Sequence, residues 1–311
     1  MSASMPPVQT DLAEVFPDLM TIRARAQGGD LPGALAEVRA RATGLAEDAI
    51  TVTELVAESE GIDDDLAAHL RAHADDRLAR TLDAHRTILS AGSAADPAAS
   101  TRADSAAGLA RAEQTLIRLC AEDPTDRYAW YLRLVTARGL GLGWSESRRR
   151  YRRLAAVDPH HAPAQRQILR SLQPRWGGSW EAAFGFAREV SATAAEGSVE
   201  GALVVTAHLD RWLAEDGGAQ NDYLVQPGVL AELEEASDRL LAVPPPSTYA
   251  WVQPHTEIAV LLGVAGRRVR AGQHFSALGP ALAEGPWAAA ARYQEDLQTM
   301  RSSVLAEGRR R

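Results

Sequence analysis

Apolar residues recur along most of the chain at intervals of three and four, the spacing that places them on one face of an α-helix. One such stripe consists of Leu109, Ala112, Leu116, Leu119 and Cys120. A second stripe consists of Leu230, Leu233, Leu240 and Leu241, with Ser237 as a polar interruption. No segment alternates apolar and polar residues convincingly, as a half-buried strand would. The pattern therefore predicts an all-α fold.

The helices predicted by these stripes are separated by turn residues, with glycine or proline pairs such as Gly28-Gly29 and Gly217-Gly218 at several boundaries. Their approximate ranges are 9–27, 32–43, 51–60, 63–90, 104–121, 126–139, 145–157, 162–172, 179–196, 199–213, 226–242, 248–266, 273–284 and 287–306. Helices of this length with short connections favour antiparallel hairpins.

The division of the chain is predicted from its least apolar stretches. Residues 91–103, AGSAADPAASTRA, are small and polar and predict a flexible connection. This connection would separate an N-terminal helical region at 8–90 from a longer helical-repeat region at 104–307. Residues 1–7 and 308–311 are expected to be disordered tails.

A short pattern recurs within the longer region. Residues 118–124 read RLCAEDP and residues 153–159 read RLAAVDP, an offset of 35 residues (159 − 124). A third copy at 239–251 shares Arg-Leu, Ala, Pro and Tyr-Ala-Trp with 118–130, without a gap. Proline cannot continue a helix, so it ends each second helix. A hairpin with this stop about every 34 residues resembles the tetratricopeptide repeat. The resemblance implies antiparallel hairpins stacked as a tetratricopeptide-like αα solenoid.

The positions of the helix-ending prolines define which helix is first in each hairpin, and this predicts which side chains face the concave surface of the stack. The first helices of two units, 126–139 and 162–172, would line it with aromatic and basic residues: Tyr128, Tyr131, Arg138, Arg166 and Arg170. Aromatic residues and arginine dominate the energetics of protein interfaces. Arginine also grips carboxylates through paired hydrogen bonds. The predicted groove would therefore hold an acidic or carboxylate-bearing segment; the alternative is that Tyr128 and Tyr131 pack between repeats.

A second group of short elements extends over most of the same region. Residues 174–179 read Pro-Arg-Trp-Gly-Gly-Ser, followed by Phe-Ala-Arg-Glu at 186–189 and Gly-Ser at 197–198. With Ala-Trp at 129–130, Arg-Gly at 138–139 and Gly-Pro-Trp at 285–287, these elements resemble a family of uncharacterised actinobacterial helical-repeat proteins with tetratricopeptide-like units. The resemblance covers roughly residues 105–290. It implies a helical-repeat fold and leaves the function open.

The loop at 176–180 is the second candidate binding element, with five residues: Trp176, Gly177, Gly178, Ser179 and Trp180. Paired glycines let a backbone approach a ligand closely, and Ser179 is placed to cap the helix that follows. The alternative is a structural elbow in which Trp176 packs between hairpins, and glycine pairs most often serve such turns.

Composition excludes several kinds of chemistry. All 33 basic residues are arginine. Without lysine, the chain cannot form the usual Gly-Lys-Ser/Thr phosphate loop, a kinase strand lysine or a Schiff base. A lone Cys120 excludes a disulfide framework, thiolate zinc sites and iron–sulfur clusters within the chain, and it fits a reducing compartment. No cofactor is expected.

The charge distribution argues against nucleic acid as a partner. The formal net charge is −8, whereas non-specific nucleic-acid binding depends on neutralising phosphates. The segment RRRYRR at 148–153 holds five arginines and is the one candidate basic patch. Because the repeat register places it on the second helix of its hairpin, a solvated outer face is the favoured interpretation.

Two histidines four residues apart on a predicted helix are the candidate metal ligands of this sequence. His69 and His73 have the spacing that can bring two imidazoles to one metal, with Asp65 and Asp76 nearby. The general-base glutamate of the His-Glu-x-x-His motif is missing, and a polar helix edge is the favoured interpretation. No metal site is therefore predicted.

Together these features predict a non-catalytic interaction scaffold with a protein partner. No apolar run is long enough to span a membrane, and the first residues lack a basic region followed by an apolar core. A cytoplasmic location without membrane contact is therefore expected. The alternative is a small-molecule-binding protein or an enzyme with a pocket near Trp176, His208 and Glu257. A deep pocket with convergent polar groups would favour that alternative.

Overall fold

The computed structural model describes residues 8–92, 102–244 and 249–308, and these ranges contain helices and turns without a β-strand. The extended pairing among them is an isolated bridge between Gln9 and Ala281. None of the described helices combines the length and the apolar character needed to cross a bilayer. The all-α fold class predicted from the sequence is confirmed.

The described residues divide into two compact units. The N-terminal unit consists of Asp18–Ala182, and the C-terminal unit consists of the residues up to Pro17 together with those from Ala183 onward. Most of the connection predicted at 91–103, the tail predicted at 1–7, and residues 309–311 of the tail predicted at 308–311 lie outside the described residues, whereas Gly308 is the last residue of a helix. The helices on the two sides of the 91–103 segment belong to the same unit and pack against each other.

The N-terminal unit contains nine described α-helices and a short 3-10 helix at Pro174–Trp176. The α-helices are α1 (Pro17–Gln27), α2 (Leu31–Arg41), α3 (Ala46–Glu58), α4 (Ile62–Ala72), α5 (Arg77–Gly92), α6 (Arg102–Glu122), α7 (Arg127–Gly139), α8 (Trp144–Ala155) and α9 (Ala162–Ser171).

The C-terminal unit begins within α10, whose first turn belongs to the N-terminal unit. Its α-helices are α10 (Trp180–Thr193), α11 (Leu203–Leu213), α12 (Gly218–Leu224), α13 (Pro227–Leu241), α14 (Val252–Val264), α15 (Arg268–Leu278), α16 (Glu284–Ala289) and α17 (Gln294–Gly308). Its described 3-10 helices are Leu12–Glu14, Val199–Ala202 and Ala291–Tyr293.

Helices that follow one another in the N-terminal unit pack as neighbours: α5 with α6, α6 with α7, α7 with α8, and α8 with α9. The alternate helices α5 and α7 also contact each other, as do α7 and α9. Helix α3 packs against both α5 and α9. We call α3, α5, α7 and α9 the inner layer of this unit. The sequence register did not place α3 against the first helices of the repeats.

The single helix predicted at 63–90 is interrupted. Helix α4 ends at Ala72, and α5 begins at Arg77. The carboxylate of Asp76 accepts a hydrogen bond from the amide of Ala79 at 3.3 Å, which satisfies a donor at the start of α5. A capping aspartate therefore decides the break, although the apolar pattern continues across it.

Each of the two Asp-Pro turns accepts a side-chain hydrogen bond from the helix that follows it. The indole Nε1 of Trp130 donates to the carbonyl of Pro124 at 2.9 Å. At the second turn, the side-chain amide of Gln165 donates to the carbonyl of Pro159 at 3.2 Å. Both bonds span six residues, so Gln165 performs the hydrogen bonding of the tryptophan whose place it takes. The two buried donors hold the start of α7 and of α9 against the preceding turn.

Candidate functional site

The five residues predicted to bind an acidic partner lie on α7 and α9, within the inner layer of the N-terminal unit. Tyr131 is 7% exposed, and the other four are half-buried: Tyr128, Arg138, Arg166 and Arg170. Each therefore takes part in helix packing while most keep some contact with solvent. The burial follows from α3, α5, α7 and α9 packing around this part of the unit.

Each of the two tyrosines contacts a histidine side chain. The hydroxyl of Tyr128 lies 2.6 Å from Nδ1 of His85 on α5. The ring of Tyr131 stacks on His161, with centroids 5.8 Å apart and an interplanar angle of 26°. Burial raises the pKa of both phenols, and it lowers the pKa of each histidine to about 4. All four groups are therefore neutral at pH 7, and each tyrosine side chain contacts a histidine of the same unit.

The two arginines of α9 face acidic residues of α3. Burial and the nearby carboxylate of Glu58 raise the pKa of Glu54 to about 7, although Arg166 and Arg170 act to lower it. Burial also raises the pKa of Glu47, again against the attraction of Arg166. Among the described residues, Glu54 and the two arginines form no ion pair within 4.0 Å, so their attraction acts over a longer distance.

Arg138 lies at the end of α7 and connects the side chains on α7 and α9 with the loop after α9. Its guanidinium donates to Oε1 of Gln167 at 2.8 Å. The same guanidinium lies 5.5 Å from the centroid of the Trp176 ring. Gln167 in turn hydrogen-bonds the side chain of Tyr131. The structure thus brings the first candidate set and the alternative binding loop together at Arg138.

The loop presents Trp176 at the surface. The Trp176 side chain is 41% exposed, and the guanidinium of Arg175 lies 5.9 Å from its ring centroid. The ring therefore has one arginine from its own loop and one from α7 nearby. A tryptophan ring close to two guanidinium groups can hold their orientation without neutralising their charge, so the groups stay able to bind carboxylates. We call Arg138, Arg175 and Trp176 the arginine–tryptophan edge.

The loop backbone is fixed by its glycines and by a cap. Gly177 has a φ of +87°, a conformation that suits glycine. A Cβ at Gly178 would lie 2.0 Å from the carbonyl oxygen of Leu172, so no other residue fits there. The hydroxyl of Ser179 accepts from the amide of Ala182 at 3.1 Å, the cap expected from the sequence. Trp180 is half-buried as the first residue of α10. The loop is therefore a rigid elbow that holds Trp176 outward.

The arginine cluster at 148–153 is not one continuous basic face. Arg150 is 3% exposed, and its guanidinium donates to Oε2 of Glu113 at 2.9 Å. Arg133 donates to Oε1 of the same carboxylate at 3.0 Å. On the surface, Arg149 is paired with Glu146 at 2.6 Å. Arg150 therefore belongs to a buried ion-pair network, and the charge of Arg149 is neutralised by Glu146 at the surface.

His208 and Glu257 belong to the C-terminal unit and lie in separate networks. Nε2 of His208 is 2.9 Å from Glu232, and its Nδ1 is 2.6 Å from the hydroxyl of Tyr223. Glu257 instead accepts a hydrogen bond from Thr206 at 2.7 Å. The third residue of the predicted pocket, Trp176, belongs to the N-terminal unit.

A further chain of polar side chains is enclosed in the C-terminal unit. The hydroxyl of Ser237 lies 2.8 Å from Nε2 of His274, whose Nδ1 is 2.8 Å from Nδ1 of His255. A hydroxyl beside an oriented imidazole is the arrangement of a nucleophile and its base. However, none of the three residues is more than 1% exposed, so a substrate has no route to them in this conformation.

His69 and His73 lie in an open depression at the end of α4. Their rings are 4.8 Å apart, and Nε2 of His69 is 2.8 Å from Asp76, which also binds Arg39. The described residues contain no group of three or more histidine, cysteine or acidic side chains placed to hold a metal ion.

No family model, curated protein or solved structure matches this chain. The resemblance to actinobacterial helical-repeat proteins therefore stays a prediction from the sequence. Sequence reasoning also missed three residues that surround the predicted tyrosines and arginines: Glu54, His85 and His161. The one available signal was a carboxylate, Glu54, inside the apolar segment ITVTELVA at 50–57, but nothing in the sequence indicates its distant arginines.

Proposed function

We propose that this chain is a non-catalytic interaction scaffold that binds an acidic segment of a protein partner at the arginine–tryptophan edge of the N-terminal unit. The observation that carries the proposal is the exposed Trp176 ring with the guanidinium groups of Arg138 and Arg175 within 6 Å of its centroid. Tryptophan and arginine are the residues most enriched at energetic centres of interfaces. A rigid loop also lowers the entropy lost when the partner binds.

The proposal includes a tetratricopeptide-like stack for the N-terminal unit. Two features support it: the neighbouring helices α5 to α9 pack in chain order, and the alternate helices α5, α7 and α9 contact one another. The recurrent bonds of Trp130 and Gln165 to their prolines support it as well. In such a stack the loops after α7 and α9 lie at the same end, which is where Arg138 meets Trp176.

An acidic segment is favoured over other ligands because the arginine–tryptophan edge combines arginine cations with an exposed aromatic ring. Its cations are arginines, which bind carboxylates through two parallel hydrogen bonds. The exposed aromatic face of Trp176 would contact an apolar side chain or a peptide plane of the same segment. The packed inner layer leaves α3 against α9, so the exposed edge is the more accessible part of the predicted binding surface.

The test is binding of a fluorescein-labelled hexaglutamate peptide, measured by fluorescence anisotropy at low salt, with the uncharged hexaglutamine as the control, because the net charge of −8 would attract a basic peptide. We expect hexaglutamate alone to bind. Arg138→Ala and Trp176→Ala should each weaken binding about fivefold or more, whereas Trp176→Phe should retain part of it. Arg152→Ala removes an exposed arginine of α8 and is the matched control.

Two outcomes would contradict the proposal. One is equal binding of the two peptides, because a cationic edge discriminates between them. The other is an equal loss of hexaglutamate binding in Arg138→Ala and Arg152→Ala, because binding would then depend on total charge. Circular dichroism of each variant shows whether the helices are intact. Raised salt should weaken the specific binding through screening.

A further inference from the structure

The loop between α7 and α8 carries two exposed apolar side chains. Leu142 is 44% exposed, and Trp144, the first residue of α8, is 41% exposed. Single exposed apolar residues are common on protein surfaces. The position of these two relative to the arginine–tryptophan edge therefore decides whether they matter for binding.

Arg138 connects this loop with Trp176. The amide of Gly141 donates to the carbonyl of Arg138 at 3.1 Å, and the amide of Leu142 donates to the carbonyl of Ala137 at 2.9 Å. These bonds fold the loop back onto the last turn of α7. The guanidinium of the same Arg138 lies 5.5 Å from the centroid of the Trp176 ring. Both loops that carry exposed apolar side chains therefore adjoin one arginine.

The backbone of the loop between α7 and α8 is fixed. Gly141 and Gly143 have φ values of +64° and +83°, conformations that favour glycine. The amide of Ser147 donates to the carbonyl of Gly143 at 3.2 Å, which holds the start of α8. The exposed side chains thus stand on a backbone that is ordered before a partner binds, so less conformational entropy is lost on binding.

The charged groups of the two loops favour an acidic partner. Arg175 is exposed and forms no ion pair within 4.0 Å with another described residue. Arg138 donates to a neutral side-chain amide. The acidic residue in the first turn of α8, Glu146, is paired with two arginines of its own helix. The first turn of α10 adds one exposed carboxylate, Glu181, so the cations remain in excess.

We propose that Leu142 and Trp144 form an apolar subsite beside the arginine–tryptophan edge, and that the partner segment carries large apolar side chains between its acidic residues. Its carboxylates bind Arg138 and Arg175. Its apolar side chains pack on Leu142, Trp144 and Trp176. This inference rests on the proposed function, because one segment occupies both surfaces, and it adds a requirement for apolar side chains that charge alone does not impose.

An anionic membrane is the other kind of surface that exposed tryptophan, leucine and arginine side chains fit. The net charge of −8 opposes the approach to such a surface. Trp144 and Trp176 are each 41% exposed, so more than half of each residue is covered by the protein, which limits the depth to which either ring can insert between lipids. A peptide segment is therefore favoured over a bilayer.

The experiment compares two fluorescein-labelled peptides of equal length and charge, EELEELEE and EEQEEQEE, by fluorescence anisotropy with the full chain. We expect EELEELEE to bind about fivefold more tightly or better, since it alone buries apolar side chains. Leu142→Ala and Trp144→Ala should each reduce this ratio of Kd values about twofold or more, with little change in the Kd of EEQEEQEE. Because both peptides are measured on the same protein sample, a partly unfolded sample leaves the ratio unchanged.

Val157→Ala is the matched control. Val157 follows the opposite end of α8 and is 40% exposed, close to the exposure of Leu142. Its removal should leave the ratio of Kd values as it is in the unaltered chain. A loss of preference in Val157→Ala equal to that in Leu142→Ala would overturn the subsite, because the preference would then not be local.

The other outcomes separate this inference from the proposed function. Equal Kd values of the two peptides on the unaltered chain, or a preference that survives in both Leu142→Ala and Trp144→Ala, would overturn the apolar subsite and leave the edge intact. Absence of binding of either peptide would overturn both. Sedimentation of the chain with vesicles of phosphatidylcholine and phosphatidylserine tests the bilayer. If the chain sediments and Trp144→Ala does not, the loop docks on a membrane and the peptide segment is overturned.

Discussion

The guanidinium of Arg138, in the last turn of α7, lies 5.5 Å from the centroid of the Trp176 ring in the loop after α9. This contact joins two segments that the sequence offered as separate candidate sites. It places a cation from a helix end over an aromatic ring held by a glycine elbow. The two candidate sites therefore meet where the end of α7 contacts the loop after α9.

The contact itself is testable without any ligand. A double-mutant cycle of Arg138→Ala and Trp176→Ala should give a coupling energy of about 0.5–1 kcal/mol, as expected for a cation–π pair with an exposed ring. Urea unfolding of the four proteins provides the measurement. Additive effects of the two substitutions would mean that the ring does not hold the guanidinium in solution.

The elbow should depend on Gly178. A side chain there would collide with the carbonyl oxygen of Leu172, so Gly178→Ala must displace the loop. We expect it to lower the free energy of unfolding by about 1–3 kcal/mol and to change the fluorescence of Trp176. Gly185→Ala is the matched control, because a Cβ meets nothing within 4 Å at that position on α10. Equal stability of the two variants would contradict the elbow.

Burial separates the tryptophans of the N-terminal unit into two energetic classes. Trp130 is 6% exposed and Trp144 is 41% exposed. Trp130→Ala should cost about 3–5 kcal/mol, the range for large buried aromatic residues. Trp144→Ala should cost much less, since a ring with this exposure loses little burial. Denaturant midpoints measure both, and similar midpoints would refute the packing of Trp130.

The network around Glu113 should be destabilised strongly by loss of its anion. Glu113 accepts from Arg133, Arg150 and Thr136, and all four residues are buried. Glu113→Ala would leave the buried guanidinium of Arg133 without its counter-ion and that of Arg150 with Glu146 alone, at a cost of about 3–5 kcal/mol. Exposed Glu181→Ala should stay within about 0.5 kcal/mol. Thermal unfolding that ranks the two variants equally would refute this prediction.

The C-terminal unit should lose stability at acidic pH through its histidine pair. Burial lowers the pKa of His255 to about 4 and of His274 to about 3. The unfolded chain binds protons near pH 6.5, so each histidine contributes stability above that pH and loses it as pH falls toward the folded pKa. Replacing His274 with Gln should flatten this acid dependence, and exposed His160→Gln should not. Melting temperatures between pH 7 and 5 test the difference.

The amphipathic stripes determined the existence of most helices, because three-and-four spacing buries one face whatever the neighbours are. Local chemistry also determined the stop at Pro124 and the cap by Ser179, since each acts on residues within a few positions. The sequence thus predicted the all-α class, but it predicted a single helix over 63–90, because the apolar pattern continues across the cap by Asp76.

Only the tertiary structure decided which residues interact with the charged side chains. In the sequence, Arg150 belongs to a run that reads as a solvated face, yet its helix turns it toward Glu113, 37 residues away. Likewise, Glu54 acquires its raised pKa from burial in α3, and its counter-charges come from α9, far along the chain. Helical periodicity determines which face of its helix a residue occupies, but it does not determine which other helix packs against that face. Electrostatic surroundings depend on distances through space, which for α3 and α9 are set by the packing of the whole inner layer.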